Sequence, residues 1–452
     1  MSPIATPAPP PARKLALAVL ARVLPQASRR KGPGAGQDVQ AALDVALLNA
    51  HGLDPRDRGL ATELVYGYLR LRGRLAFICV RFLKQPDAVP AAVRRILELA
   101  AYEILFCSKV PAYATVDWAV SAVRVQAGKG LSGMANAVLR RIAADPAVFD
   151  DADFYCRDRC PEAQYLSRFY SCPEWIVDMW LRDFGPEDTR AYLAAQLTSA
   201  PLGLRINRSR DGAREFFDAL AAAPGVLAAD FPTLALPAGT DLPEAAGIDL
   251  PAALAAGRLS RQSAAAQRIL YDLRLDDWPE PIFDACAGRG GKTLLLAEAG
   301  KKVIAGDMHA GRLSGLGREA ARLGLAPVGV LRGSATRLPL APGRVGTILL
   351  DAPCSGLGVL ARRPDAKWRR RPEDVAGLTR LQRAMLEGAY AALAPGGRIV
   401  YVTCTAHPAE NEGNIDRLGA RHHDLTLEAE IPATPSPSLG ETFYGAVLRK
   451  SG

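Results

Sequence analysis

The chain has 452 residues, 49% of them hydrophobic and 23% charged, and a formal net charge of +9. This composition is that of a folded protein, and the length exceeds what one hydrophobic core supports, so two or three domains are expected. The excess of Lys and Arg favours a polyanionic partner, and no apolar stretch is long enough to span a membrane.

Eight cysteines are scattered through the chain without a disulfide-like spacing, which suits a reducing cytoplasm. Cys156, Cys160 and Cys172 form a loose cluster, but no histidine lies nearby as a fourth ligand. Because structural zinc needs four closely spaced ligands, no metal site is predicted.

The N-terminal third predicts a helical domain. Residues 1–11 form a Pro/Ala-rich tail that is predicted to be disordered. Over residues 12–148 apolar side chains recur at helical spacing and strand-like alternation is absent, which predicts an all-α bundle.

Residues 160–257 are mixed in pattern and predict a small α/β domain that links the two larger ones. A helix is expected to start at Pro173, a strand is expected over 201–207, and a second helix over 214–223.

Residues 258–452 alternate between strand and helix patterns, which predicts a doubly wound, Rossmann-like sheet of seven strands. Functional groups in such a sheet gather at the carboxyl ends of the strands. The predicted strands cover residues 281–285, 302–307, 326–331, 345–351, 397–404, 424–429 and 442–449, with helices at 292–299, 310–323 and 374–393.

The sequence Asp-Ala-Cys-Ala-Gly-Arg-Gly-Gly-Lys-Thr at 284–293 closes the first of these strands and opens a helix. A phosphate-binding loop would need glycine at position 286, and a dinucleotide fingerprint has a different glycine spacing. The pattern favours a loop for an adenosyl ligand, with Asp307 at the end of the next strand accepting hydrogen bonds from ribose hydroxyls. A glycine turn that only packs strand against helix is the alternative.

Two cysteines stand at the ends of neighbouring predicted strands. Asp351-Ala-Pro-Cys-Ser-Gly includes Cys354, and Thr403-Cys-Thr includes Cys404. A single cysteine is more often a small buried hydrophobe than a catalyst. Two of them that point into one crevice beside an aspartate predict covalent chemistry.

Methylation of carbon 5 of cytosine fits these groups. That carbon is a poor nucleophile until a thiolate adds to carbon 6, which divides one difficult step into easier ones. Cys404, Asp351, a methyl donor in the adenosyl loop and Cys354 supply a thiolate, an acid near ring nitrogen 3, the methyl group and help with release. Enzymes that methylate exocyclic amines usually carry Asn or Asp followed by Pro-Pro and an aromatic residue, and this chain does not.

These motifs make the chain resemble the bacterial ribosomal-RNA cytosine-C5 methyltransferases of the Sun/Fmu type, within the NOL1/NOP2/Sun family. DACAGRGGKT, DAPCSGLGVLARRPDAKW and YVTCTAHPAENEGNI are similar to its cofactor, central and nucleophile motifs. The N-terminal helices, with RGLATELVYGYLR and VPAYATVDWAV, look like a NusB-like domain, which binds RNA or protein in other chains.

The resemblance implies that S-adenosylmethionine is the cofactor and that Cys404 is the nucleophile, with Cys354 assisting release and Asp351 lying between cofactor and cytosine. It also assigns the cofactor pocket to Cys286, Ala287, Gly288, Arg289, Gly290, Gly291, Lys292, Asp307, Ser334 and Asp351. This chain departs from the family at Gly288-Arg289, where the family has Ala-Pro, and at Ser334, which stands where the family carries an aspartate. The last strand reads Glu-Thr-Phe-Tyr over 441–444 in place of Asp-Gly-Phe-Phe.

Residues 362–371 form a basic segment that directly follows the Asp351 motif. Six of its ten residues are basic, and they are predicted to hold RNA phosphates: Arg362, Arg363, Lys367, Arg369, Arg370 and Arg371. A solvated run of charge is the alternative. The target cytosine has to leave any stack to reach Cys404, so a single-stranded or exposed site is expected.

The predicted function is methyl transfer to carbon 5 of cytosine in RNA, with ribosomal RNA as the expected substrate, by a cytoplasmic monomer that does not act on DNA. Transfer RNA as the substrate, Cys354 as the nucleophile, and a non-catalytic RNA-binding scaffold are the alternatives. The intact pair of Cys404 and Asp351 argues against the scaffold.

Overall fold

The structure is a computed structural model, and it describes residues 11–24, 37–239, 247–325, 329–435 and 439–452. The disordered tail predicted over residues 1–11 lies outside the described residues except for Pro11, which begins a helix and corrects that boundary. The strand predicted over 326–331 is described only from residue 329.

The described residues form sixteen α-helices and eleven strands. The helices are α1 Pro11–Val23, α2 Val39–Asn49, α3 Pro55–Arg81, α4 Ala91–Phe106, α5 Ala112–Ala144, α6 Asp153–Cys156, α7 Glu162–Phe169, α8 Glu174–Ala195, α9 Ala213–Ala221, α10 Leu250–Ala255, α11 Ala264–Asp272, α12 Gly291–Glu298, α13 Ala310–Leu323, α14 Ala366–Arg369, α15 Pro372–Ala392 and α16 Glu412–Arg421. The strands are β1 Leu202–Ile206, β2 Ala228–Asp230, β3 Thr233–Leu236, β4 Leu259–Arg261, β5 Ile282–Asp284, β6 Val303–Asp307, β7 Gly329–Arg332, β8 Val345–Asp351, β9 Leu393–Thr403, β10 Leu425–Ile431 and β11 Tyr444–Lys450.

The chain divides into two compact units. Unit 1 comprises Met1–Leu197 together with Arg363–Arg371, and unit 2 comprises Thr198–Arg362 together with Pro372–Gly452. The chain thus leaves unit 2 at residue 362, contributes the short helix α14 to unit 1, and returns at residue 372.

Unit 1 is helical in its described residues, which confirms the predicted N-terminal bundle. Its longest uninterrupted helix, α3, begins where the side chain of Asp54 accepts a hydrogen bond from the N–H of Asp57 at 2.7 Å and Pro55 occupies the first turn. The helices bury one continuous apolar cluster that includes Val19, Leu64, Leu97 and Val138.

Unit 2 starts with a small four-stranded antiparallel sheet of order β2-β3-β1-β4. Phe216 and Phe217 of α9 pack into its core with Leu204 and Leu234. This part of the chain is the mixed α/β region that the sequence predicts between the two larger domains.

The second sheet of unit 2 has seven strands in the order β10-β11-β9-β8-β5-β6-β7. The pairs from β7 through β9 are parallel, and β11 is antiparallel to both of its neighbours. Both faces are covered, since Ile348 and Leu350 of β8 join one apolar cluster while Leu349 joins another. The prediction of a doubly wound sheet of seven strands is confirmed.

The strand order changes direction between β5 and β8. From β5 the chain adds β6 and β7 on one side, and it then returns to add β8 and β9 on the other. In sheets of this type, ligands bind outside the carboxyl ends of the strands that flank such a switch point.

Among the described residues, no helix is both long and apolar enough to cross a membrane. Within those same ranges, His, Cys, Asp and Glu side chains do not form a group of three or more that could hold a metal ion.

Candidate active site

Four parallel strands end in polar residues at one edge of the large sheet: Asp284 of β5, Asp307 of β6, Asp351 of β8 and Thr403 of β9. The register places Asp284 opposite Leu349, and Asp351 opposite Val402. Because parallel strands carry their carboxyl ends to the same edge, the residues that follow them share one crevice.

The predicted cofactor loop turns sharply between β5 and α12. Gly288 and Gly290 have φ values of +56° and +92°, in the left-handed region that favours glycine. A side chain at Gly290 would also meet Leu316 at 2.8 Å. Among the described residues, the one atom within 4 Å of a Cβ at Gly288 is the carbonyl oxygen of Cys286, at 3.9 Å. The loop therefore packs closely at Gly290 and leaves open space at Gly288.

Asp307 connects β6 to this loop. Its carboxylate accepts hydrogen bonds from the backbone N–H groups of Gly288, at 3.0 Å, and His309, at 2.7 Å. The side chain is buried, and a carboxylate has about four lone-pair sites, so it can also accept bonds from two ligand hydroxyls.

Asp284, at the end of β5, holds the cofactor loop through hydrogen bonds. Its buried carboxylate accepts hydrogen bonds from the hydroxyl of Thr293, at 2.6 Å, and from the N–H of Cys286, at 3.2 Å. Burial raises the pKa of Asp284 to about 7, the Thr293 hydrogen bond opposes this, and the charge of Asp351 adds to it.

Lys292 and Asp351 form an ion pair across the crevice, with Nζ 2.7 Å from Oδ2. Burial lowers the pKa of Lys292, but the charge of Asp351 and the hydrogen bond to it more than compensate, so this pKa is raised above its usual value. The charge of Cys404 also acts to raise it. A charged Lys292 therefore favours a thiolate at Cys404.

The two thiols lie side by side, with 3.2 Å between the Sγ atoms of Cys354 and Cys404. The N–H of Cys404 also donates to the Sγ of Cys354 at 3.4 Å. The hydrogen bond with Cys404, followed by burial, raises the pKa of the Cys354 thiol well above its usual value. The two thiols therefore share one site, and the charge of Cys404 also interacts with that of Lys292.

Three protein families match the chain in succession. They are the NusB family over residues 10–144, a ferredoxin-like domain of RsmF/B-like methyltransferases over 172–233, and 16S rRNA methyltransferase RsmB/F over 270–443. The probable ribosomal RNA small subunit methyltransferase B of Synechocystis sp. is 34% identical over 400 residues, which cover 85% of this chain and 86% of that protein.

The chain belongs to the RsmB/F methyltransferase family. The methyl donor of this family is S-adenosylmethionine, which confirms the predicted cofactor.

Solved structures agree with this family fold. The crystal structure of PH0851 matches 96% of this chain and 98% of its own, with a TM-score of 0.70 and 21% identity. NSun6 from Pyrococcus horikoshii, solved with SFG, matches 62% of this chain and 98% of its own, with a TM-score of 0.51 and 20% identity.

The remaining residues predicted for the cofactor pocket of this RsmB/F chain differ in exposure. Ala287 is buried, Arg289 is exposed, and burial raises the pKa of Cys286 far above its usual value, so Cys286 stays a thiol. Ser334 lies two residues beyond β7, with its hydroxyl 2.8 Å from that of Thr336. Their contact with the cofactor remains a prediction.

The basic segment 362–371 is divided by the fold. Arg362 belongs to unit 2, where it pairs with Glu441 at 2.7 Å, and the other residues belong to unit 1. Arg363 and Arg371 are exposed, whereas Arg369 pairs with Asp365 at 3.0 Å.

The prediction that Lys367 holds RNA phosphates is wrong, because this residue is only 1% exposed. Its Nζ donates to the carbonyl oxygen of Arg70, at 3.0 Å, and to the amide oxygen of Gln196, at 2.8 Å. A side chain enclosed in this way does not reach a phosphate, so Lys367 is a structural residue of unit 1 in this fold.

Two groups at this site are not predicted by the sequence. Lys292 is expected in the cofactor loop, but its pairing with Asp351 is not evident because the contact joins segments 59 residues apart. Glu410 lies within the nucleophile motif and is completely buried, and the sequence indicates no role for it. The available signal was a carboxylate six residues after the predicted nucleophile Cys404.

Proposed function

We propose that this protein transfers the methyl group of S-adenosylmethionine to carbon 5 of a cytosine in ribosomal RNA, with Cys404 as the nucleophile. The observation that supports this most strongly is the pair of thiols 3.2 Å apart beside the ion pair of Lys292 and Asp351. The adenosyl loop and the buried Asp307 offer the acceptors and the open space that an adenosine needs.

In the proposed mechanism, the Cys404 thiolate forms a bond to carbon 6 of the cytosine. The displaced electron pair moves through carbons 5 and 4 to ring nitrogen 3, which takes a proton held between Lys292 and Asp351. Carbon 5 thereby becomes nucleophilic. S-adenosylmethionine, when bound in the loop, supplies an electrophilic methyl group to that carbon.

Release then transfers the proton of carbon 5 to water, and ring nitrogen 3 returns its proton to the pair of Lys292 and Asp351. These losses restore the double bond between carbons 5 and 6. The bond between carbon 6 and Sγ breaks, and the electron pair returns to Cys404. Cys354 assists this step from 3.2 Å away.

The rival assignment makes Cys354 the nucleophile. It is disfavoured by Lys292, whose charge interacts with that of Cys404 and favours a thiolate there. Of the basic segment, Arg363 and Arg371 are the best placed for phosphate contacts because they are exposed.

We also propose that the chain acts as a cytoplasmic monomer on RNA and not on DNA, with domains over residues 12–148, 160–257 and 258–452. The matched families over 172–233 and 270–443 fall inside the last two ranges. The relatives named for the small ribosomal subunit favour ribosomal RNA over transfer RNA as the substrate.

The test is a map of 5-methylcytosine in RNA from cells with and without this protein, repeated with purified protein, RNA and S-adenosylmethionine. We expect one cytosine of the small-subunit RNA to lose its methyl group in the cells and to regain it with purified protein. Loss confined to transfer RNA, or methylation at the amino group, would contradict the proposal.

A further inference from the structure

Glu410 lies between the two cysteine loops, in a short turn after β9, and is fully buried. Its carboxylate accepts a hydrogen bond from the N–H of Ser355 at 2.9 Å, and the hydroxyl of Ser355 donates to its second oxygen. That second oxygen also accepts from the hydroxyl of Thr405 at 3.3 Å. One carboxylate thus binds the residue that directly follows each cysteine.

The loop of Cys354 depends on this carboxylate. The amide of Gln382 donates to Glu410 and to the carbonyl oxygen of Pro353, each at 2.9 Å. Pro353 and Ser355 flank Cys354, so Glu410 and Gln382 together fix both sides of that cysteine.

The loop of Cys404 has a second support. The side chain of Asn411 donates to the carbonyl oxygen of Thr405 at 2.9 Å and accepts from the hydroxyl of Thr403 at 2.6 Å. These two threonines flank Cys404, so that cysteine stays held on both sides even without Glu410.

This support matters because the cysteines lie beyond the regular pairing of the strands. The ladder of β8 and β9 ends at Asp351 and Val402, three and two residues before Cys354 and Cys404. Displacing a catalytic group by about 1 Å can cost roughly 100-fold in rate. The side chains that fix these loops therefore set how well the thiols act.

We propose that Glu410 is a positioning residue that holds Cys354 beside Cys404, and that it serves chiefly the release step. This inference rests on the proposed function, in which Cys354 assists release. Without Glu410, Ser355 loses both of its hydrogen bonds to the carboxylate. Thr403 and Thr405, which flank Cys404, keep their hydrogen bonds to Asn411. Formation of the bond to carbon 6 should therefore continue while its breakage slows.

The experiment uses full-length protein with the substitution Glu410→Gln, which keeps the shape but turns one acceptor into a donor that faces other donors. Purified protein is mixed with RNA and S-adenosylmethionine, and the covalent protein–RNA complex is measured on a denaturing gel beside multiple-turnover methylation. We expect turnover to fall roughly 10- to 100-fold. The covalent complex should accumulate above the wild-type amount and stay below that of Cys354→Ala.

Two further variants separate positioning from stability. Ser355→Ala removes one of the two bonds to Glu410 and should show a weaker accumulation, and it decides the question if Glu410→Gln does not fold. Glu103→Gln removes the charge of another fully buried glutamate, in unit 1, and should lower stability without accumulating the complex.

The inference is overturned if covalent complex and turnover decrease in parallel in folded Glu410→Gln, as a purely structural role requires. It is also overturned if Ser355→Ala behaves as wild type when Glu410→Gln does not fold. Failure of the proposed function looks different, because Cys354→Ala itself would then accumulate no complex.

Discussion

Cys354 and Cys404 are 50 residues apart in sequence and have thiols 3.2 Å apart, whereas Arg362 and Arg363 are adjacent in sequence and belong to different units. The cysteines follow neighbouring parallel strands, whose carboxyl ends lie together because of the sheet itself. The residues of the basic segment are not aligned by strand pairing, so the direction of each side chain depends on its local packing. A catalytic crevice is therefore more predictable from sequence than a run of charge.

The largest effect is expected at the crevice, from Asp351→Asn. This change keeps the volume of the side chain but removes the charge that pairs with Lys292 at 2.7 Å. Because Asp351→Asn removes general acid–base catalysis at ring nitrogen 3, single-turnover methylation should slow roughly 10²- to 10⁴-fold. Affinity for S-adenosylmethionine, measured by calorimetry, should change far less. Methylation within about threefold of wild type would take Asp351 out of the chemistry.

The next largest effect is expected at Lys367, which lies in the basic segment but is buried. Burial lowers the pKa of Lys367 to about 7, from an ordinary value near 10.5. Between these values the unfolded chain binds more protons than the folded one, so stability rises with pH. The penalty for the buried charge is fully present below about pH 7 and is relieved toward pH 10.

The measurement is the urea unfolding of unit 1 in the full chain, from about pH 6.5 to 9.5, for wild type and Lys367→Met. The free energy of unfolding of the wild type should gain up to about 1.4 kcal/mol per pH unit relative to the variant. Identical pH dependence in the two proteins would mean that Lys367 is not held as a buried amine.

A smaller effect is expected at the cofactor loop from Asp307→Ala. The change removes the acceptor proposed for the ribose and the bonds to Gly288 and His309. Affinity for S-adenosylmethionine should fall roughly 10- to 100-fold, equivalent to about 1.4 to 2.8 kcal/mol, while the rate at saturating cofactor changes little. Unchanged affinity would remove Asp307 from the cofactor site.

The smallest effect is expected for the exposed part of the basic segment. Replacing Arg363 and Arg371 with Ala should weaken RNA binding and lower the slope of its salt dependence, by roughly 0.7 for each single-strand phosphate that is no longer neutralised. Lys367→Met is the matched control, since the buried Lys367 does not reach a phosphate and its loss should not alter the slope. Equal slopes for wild type and the double variant would make this segment an ordinary solvated surface.

The sequence predicted the fold of this chain well because each element leaves a local signal. Periodic apolar residues identify the helices of unit 1, and buried runs such as VGTILLD identify the strands of unit 2. The positions of Cys354, Cys404, Asp307 and Asp351 follow from the order in which strands end.

Contacts between distant segments left no such signal. Nothing near Lys367 in sequence indicates that Arg70 and Gln196 enclose it, and nothing near Glu410 indicates that it binds Ser355. Both are ionisable side chains whose burial depends on donors or acceptors contributed by remote parts of the chain.

In the proposed mechanism Cys404 attacks the cytosine and Cys354 acts afterwards. This order is tested most directly by covalent trapping with two variants, Cys354→Ala and Cys404→Ala, incubated with RNA and S-adenosylmethionine. Each reaction is run on a denaturing gel, beside reactions that lack RNA or the cofactor.

We expect Cys354→Ala to accumulate a denaturant-resistant protein–RNA band that requires both RNA and S-adenosylmethionine, because the bond to Cys404 forms but is not resolved. Cys404→Ala should give no band and no methylation. The reverse pattern would make Cys354 the nucleophile, and methylation by both variants without any band would contradict the covalent mechanism.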